Sequence, residues 1–322
     1  MKCITSKPYS FLVSFTTFVQ NLKMKTYTIS IKETSNPTII KFEANHFLTN
    51  HESFEFNNID ETKASPLAQQ LFYLPFVKKV YISGNFIAVE RFDILEWTDV
   101  KDEVAEQIET YLNDGGMVIA YDSPKKKVPV TVYAESTPNP SAMKFVANKK
   151  LVMSTYEFTS KDEAIASPLA TELFHFPFVK NVFFDENFVS LTKDSSIDWN
   201  DVVLEIREFI RNYIEEGKTI VEEDASSASQ KKAQQHGPHE ELDDTSKKIV
   251  NILDEYVRPA VAGDGGYIQF KSYDVDTKTV NVILQGACSG CPSSTYTLKS
   301  GIENMLKQLL PGKVDYVDAI NG

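Results

Sequence analysis

The chain repeats itself once. At an offset of about 102 residues, Asn36-Pro37 aligns with Asn139-Pro140 and Ser65-Pro66-Leu67-Ala68 with Ser167-Pro168-Leu169-Ala170. Leu74-Pro75-Phe76-Val77-Lys78 aligns with Phe176-Pro177-Phe178-Val179-Lys180. Asn85-Phe86, Trp97 and Tyr111 recur as Asn187-Phe188, Trp199 and Tyr213, with a single-residue slip before Phe56 and Phe158. Two copies of this length are tandem domains and not the stacked units of a solenoid.

Each copy reads as a strand pair, a short helix after Ser-Pro, two strands and a closing helix, an α+β domain. In the second copy Trp199, Val202, Val203, Ile206, Ile210, Tyr213 and Ile214 fall at helical spacing, giving one apolar face to set against a sheet. The phenylalanines near Leu74–Phe76 and Phe176–Phe178 read as core beside a turn, with a binding groove as the alternative. Neither copy holds a catalytic constellation. The expected extents are residues 24–122 and 128–222.

Residues 223–244 are nearly devoid of apolar side chains and rich in Ser, Ala, Gln, Lys and acids, which predicts a flexible linker. His236 and His239 within it form a possible metal-ligand pair, read here as incidental. Residues 245–322 make a third unit of α-β-β-α-β order. Ile249, Ile252, Leu253, Tyr256 and Val257 mark a helix expected to stop at Arg258-Pro259, before the turn Gly263-Asp264-Gly265-Gly266. A hairpin of Tyr267–Val275 and Thr279–Gln285 follows. After Cys288 and Cys291 comes a helix with Leu298, Ile302, Met305, Leu306 and Leu309 on one face, then a strand Val314–Val317.

The formal net charge of -12 argues against nucleic acid as a partner. Phe11–Val19, the longest apolar candidate, is too short to span a membrane. Residues 1–23 read as a disordered extension or an unused upstream start ahead of Met24, with a targeting peptide as a further reading. Three cysteines in 322 residues exclude a disulfide scaffold and fit a reducing compartment, so a cytoplasmic location is expected.

Cys288 and Cys291, three positions apart on a turn before a helix, can point at one metal. Thiolate is the soft ligand that iron–sulfur clusters, zinc and copper(I) select. The following helix N-terminus is expected to favour thiolate over thiol. A cluster ligand, a zinc ligand, a redox dithiol and two cysteines without a role all remain open. A closed four-ligand site needs more than one chain supplies, since Cys3 lies about 285 residues away. A site shared across a two-fold homodimer is the simplest completion. Such a site is expected at the surface, where it releases its metal readily.

The string Gly263-Asp264-Gly265-Gly266, then Cys288-Ser289-Gly290-Cys291-Pro292-Ser293-Ser294, Thr297-Leu298-Lys299 and Gly301-Ile302-Glu303, resembles the C-terminal domain of the NifU family. Each repeat resembles the N-terminal domain that accompanies it, although that domain is usually single. The resemblance implies that Cys288 and Cys291 bind a [4Fe–4S] cluster between two subunits. It implies a non-enzymatic carrier that takes its cluster from an upstream donor scaffold, is a homodimer when loaded, and delivers to apo iron–sulfur client proteins. Gly263, Gly265 and Gly266 carry over as turn residues only.

Overall fold

The computed structural model describes residues 25–50, 52–120, 129–222, 242–289 and 292–321. Cys3, the Phe11–Val19 stretch, His236, His239 and Cys291 lie outside them. No helix among the described residues is long and apolar enough to cross a membrane.

The first repeat comprises β1 (Ile29–Glu33), β2 (Ile39–Ala44), β3 (Ser53–Phe56), α1 (Pro66–Phe72), β4 (Val77–Ser83), β5 (Phe86–Arg91) and α2 (Lys101–Asn113). The second comprises β6 (Val132–Ser136), β7 (Ala142–Ala147), β8 (Tyr156–Phe158), α3 (Pro168–Leu173), β9 (Val179–Asp185), β10 (Phe188–Lys193) and α4 (Trp199–Glu215). Each forms an antiparallel five-stranded sheet, in the orders β1-β2-β5-β4-β3 and β6-β7-β10-β9-β8. The third strand of each copy, β3 and β8, is absent from the strand pair expected before the helix. At 4 and 3 residues these strands are too short for alternation to declare them, and pairing along β4 and β9 makes them strands.

The repeated anchors are local bonding devices. The Ser65 hydroxyl accepts from Ala68 N at 3.1 Å and donates to Val118 O at 2.7 Å; Ser167 does the same with Ala170 N and Ile220 O at the same distances. Each serine thus caps a helix whose first position is proline and ties it to the chain that follows the closing helix. Asn85 and Asn187 donate to Ala44 O and Ala147 O, pinning hairpin to sheet. Phe76 and Phe178 are buried in the repeat cores, as core packing beside a turn requires.

The third unit begins with α5 (Asp244–Ile252), capped by Asp243 on Thr245 N and Ser246 N. The helix does not stop at Pro259. A π turn at Leu253–Val257 leads into α6 (Arg258–Gly263), with the proline in its first turn. A π turn resets the hydrogen-bond ladder and so absorbs the N–H that proline lacks. Strands β11 (Gly266–Asp274) and β12 (Thr279–Gly286) are antiparallel; α7 (Pro292–Leu309) then returns the chain to β13 (Tyr316–Asn321), parallel to β12. The last strand starts later and runs longer than expected, because Val314 is buried in the preceding turn and strand pairing continues along β12. On α7, Ile302 and Leu306 are core, while Leu309 is 48% exposed instead of lying on the buried face.

Candidate metal-ligating site

Two glycine turns build the cysteine loop. β11 leaves α6 through Gly263–Gly266, and Gly266 pairs in register with Gly286 at the end of β12. Gly265 (φ +79°) and Gly286 (φ +67°) occupy the left-handed region, which a residue with a Cβ enters at a cost of roughly 1–2 kcal/mol. A Cβ on Gly266 would stand 2.7 Å from Cys288 Sγ, and one on Gly286 would stand 2.8 Å from Gly265 O. Without those side chains the loop folds back over the turn, and Ala287 N donates to Gly265 O at 3.1 Å. Ser289 N and Oγ donate to Gly286 O at 3.1 and 3.0 Å, and Thr295 Oγ1 to Cys288 O at 3.3 Å.

This arrangement overturns two expectations about Cys288. It is 6% exposed and packs with Ile302, Leu306 and Leu284 in the core of the third unit, where a surface position was expected. Burial first, and the Asp264 carboxylate second, push its thiol up to about 12. Burial thus works against the thiolate in the metal-free chain, opposite to the effect expected of the helix N-terminus. A cavity of about 520 Å³ lies against Cys288, lined also by Tyr256, Leu298 and Met305, and by Pro138 and Asn139 of the second repeat. No cluster of three or more metal-ligating side chains occurs among the described residues. As a donor set, the chain's pair of thiols suits a soft metal but supplies half of a four-ligand shell.

The second repeat also meets the backbone around Cys288, a contact that sequence reasoning missed. Asn139 Nδ2 donates to Ala287 O at 3.0 Å, the carbonyl just before Cys288. Lys144 Nζ reaches Gly263 O at 3.2 Å, Ser190 Oγ reaches Gly265 O at 2.6 Å, and Gly286 N donates to Glu157 Oε1 at 3.0 Å. Val146, Phe183 and Phe188 pack on Ala262 and Tyr267. A signal was present: at outward sheet positions the first copy carries Glu43, Tyr81 and Ala88 where the second carries Val146, Phe183 and Ser190.

Two acids at this contact hold their protons more tightly than usual. Burial raises Glu157 against the opposing bonds from Asn181, Gly286 and Gln285. Burial, then the neighbouring Glu186, raises Asp185 to about 6, while Arg258 and Lys150 pull the other way. A raised acid favours the folded chain when protonated. Asp185's contribution is thus fully present below about pH 4 and lost as pH rises through about 6, a loss of up to about 3 kcal/mol. Denaturant midpoints between pH 4 and 7 are expected to fall in wild type and to fall markedly less in Asp185→Asn. Equal slopes would exclude Asp185 as the source.

Three α+β units, the last presenting a cysteine loop on an α-β-β-α-β frame, match two family models. Residues 29–115 and 132–217 each match the model described as scaffold protein Nfu/NifU N terminal, and residues 249–317 match the NifU-like domain. The chain belongs to the Nfu/NifU family. NifU-like protein 5, mitochondrial, of Arabidopsis thaliana is 34% identical over 192 residues, covering 59% of this chain and 66% of that protein. The human protein named NFU1 iron-sulfur cluster scaffold homolog, mitochondrial, is 35% identical over 182 residues, covering 56% of this chain and 68% of its own length. The chain thus spans about two thirds of the curated relatives it matches. The solution NMR structure of a NifU-like protein from Saccharomyces cerevisiae aligns over 32% of this chain and 93% of its own, at 20% identity and a TM-score of 0.29.

Proposed function

We propose that the chain is a non-enzymatic iron–sulfur cluster carrier that holds a [4Fe–4S] cluster on Cys288 and Cys291 of two subunits and passes it to apo-proteins. The observation that carries this is the cysteine pair itself, lying inside the segment that matches the NifU-like domain. Two thiols per chain and a four-thiolate cluster together ask for a homodimer. The human relative's name describes an iron–sulfur cluster scaffold, which supports the same cargo here. Partners under this proposal are an upstream cluster donor and apo iron–sulfur clients. The acidic charge of the chain supports protein over nucleic-acid partners. The units at 24–122, 128–222 and 245–322, joined by residues 223–244, are part of the proposal. Cysteine usage supports a reducing compartment such as the cytoplasm. The two relatives compared above are mitochondrial by name.

Release by ligand exchange suits this donor set, because each subunit contributes two ligands and a client's thiols can replace them in steps. Anaerobic reconstitution with iron and sulfide tests the reading. Wild type is expected to turn brown, bind about two irons per chain and become dimeric on loading. Cys288→Ala and Cys291→Ala are each expected to lose colour and dimer together. A colourless wild type that takes zinc, or that cycles between dithiol and disulfide, would replace the carrier with a zinc module or a redox protein.

A further inference from the structure

The two repeats share a fold and differ in what their outer sheet faces meet. In the second, Lys144, Val146, Phe183, Phe188 and Ser190 are each at most 8% exposed. In the first, Lys41, Glu43, Tyr81, Phe86 and Ala88 hold the same ladder positions and are only half-buried. The buried face is seated on the glycine turn and cysteine loop. Asn139, Lys144 and Ser190 bind the carbonyls of Ala287, Gly263 and Gly265, and Glu157 accepts from the Gly286 amide. Gly265 lets the faces close, since a Cβ there would stand 2.7 Å from Ser190 Oγ. Bonds aimed at four backbone groups around one turn recognise the conformation of that turn, and each is lost with a polar group left unpaired if the faces part without water entering.

We propose that the outer face of the second repeat is a built-in cap on the cysteine loop, which withholds Cys288 from solvent, iron and a second chain until the repeat lets go. Its purpose rests on the carrier reading; its geometry does not. A cluster shared between chains needs Cys288 presented to a partner, so the loading-competent form is the uncapped one. The rate of loading then scales with the population of that form. The first repeat lacks the Val146 patch and the Ser190 hydroxyl, so it leaves the loop to its neighbour.

Val146→Glu with Ser190→Ala writes the first repeat's residues into the second. The first repeat folds with them, so the variant keeps a sheet that tolerates both. The measurement is the rate at which iodoacetamide modifies Cys288 in the reduced full-length chain, followed by peptide mass so that Cys3 and Cys291 are scored separately. The double variant is expected to react about tenfold faster or more, as the open population rises. Ser190→Ala alone, which removes only the bond to Gly265, is expected to react about fivefold faster. The mirror pair Glu43→Val with Ala88→Ser is expected to change nothing. Unchanged Cys288 reactivity in the folded double variant would overturn the cap, as would a wild-type Cys288 that reacts as fast as in the urea-unfolded chain. Faster modification in a chain that never takes up iron and sulfide would keep the cap and remove the carrier.

Discussion

Phe145→Ala is expected to lower the unfolding free energy by about 3–5 kcal/mol, a large share of the stability of a domain this size. Phe145 is fully buried on β7, an interior strand of the second sheet, paired with Val189 on β10 and Ala134 on β6. Its ring meets Trp199 of α4 edge-on at 6.3 Å, so truncation removes contacts to both layers at once and leaves a cavity that neither layer can close without leaving its partner. The first copy uses the same pair, Phe42 and Trp97, at 6.0 Å. Chemical denaturation monitored by tryptophan fluorescence measures the loss. A cost under about 1 kcal/mol would mean the site collapses freely, contrary to interior packing. Under the proposed cap, the variant is also expected to raise the reactivity of Cys288.

Gly286→Ala is expected to cost about 2–5 kcal/mol, from left-handed backbone strain together with overpacking. The new Cβ would stand 2.8 Å from Gly265 O and 2.8 Å from Phe183 Cδ1. The first is backbone and the second belongs to a fully buried ring, so neither gives way without moving the turn or the docked repeat. Gly301→Ala is the matched control. It lies inside α7 with no heavy atom within 4 Å of the added Cβ, and is expected to stabilise the helix by roughly 0.5–1 kcal/mol. Thermal unfolding of both variants beside wild type decides the matter. Equal shifts would show that position 286 carries no special constraint.

Much of the architecture could be read before folding, because its markers act over short distances. Asn36 caps its own turn by accepting from Thr38 N, and Ser65 caps the helix that begins at the next residue. The same signals at Asn139 and Ser167 made the duplication visible. The amphipathic stripe from Trp199 to Ile214 likewise depends only on helical period, and it faces the core with Val203 alone half-buried. Short strands were harder. β3 and β8 carry too few residues for a period and owe their state to the neighbour they pair with. The π turn before Pro259 was hidden because local preference alone argues for a stop there.

The cysteine pair was legible as chemistry, since thiols at that spacing after a glycine-rich turn point to a soft metal whatever surrounds them. The environment of Cys288 was not. Its burial comes from packing with Leu284, Ile302 and Leu306 and raises its thiol, while the turn beside it is met from afar, by Asn139 reaching Ala287 across 148 positions of chain and Ser190 reaching Gly265 across 75. Residue type, period and turn chemistry travel with the sequence because covalent neighbours supply them. The contact between the second repeat and the cysteine loop comes from packing two separately formed surfaces, and only the folded chain brings those surfaces together.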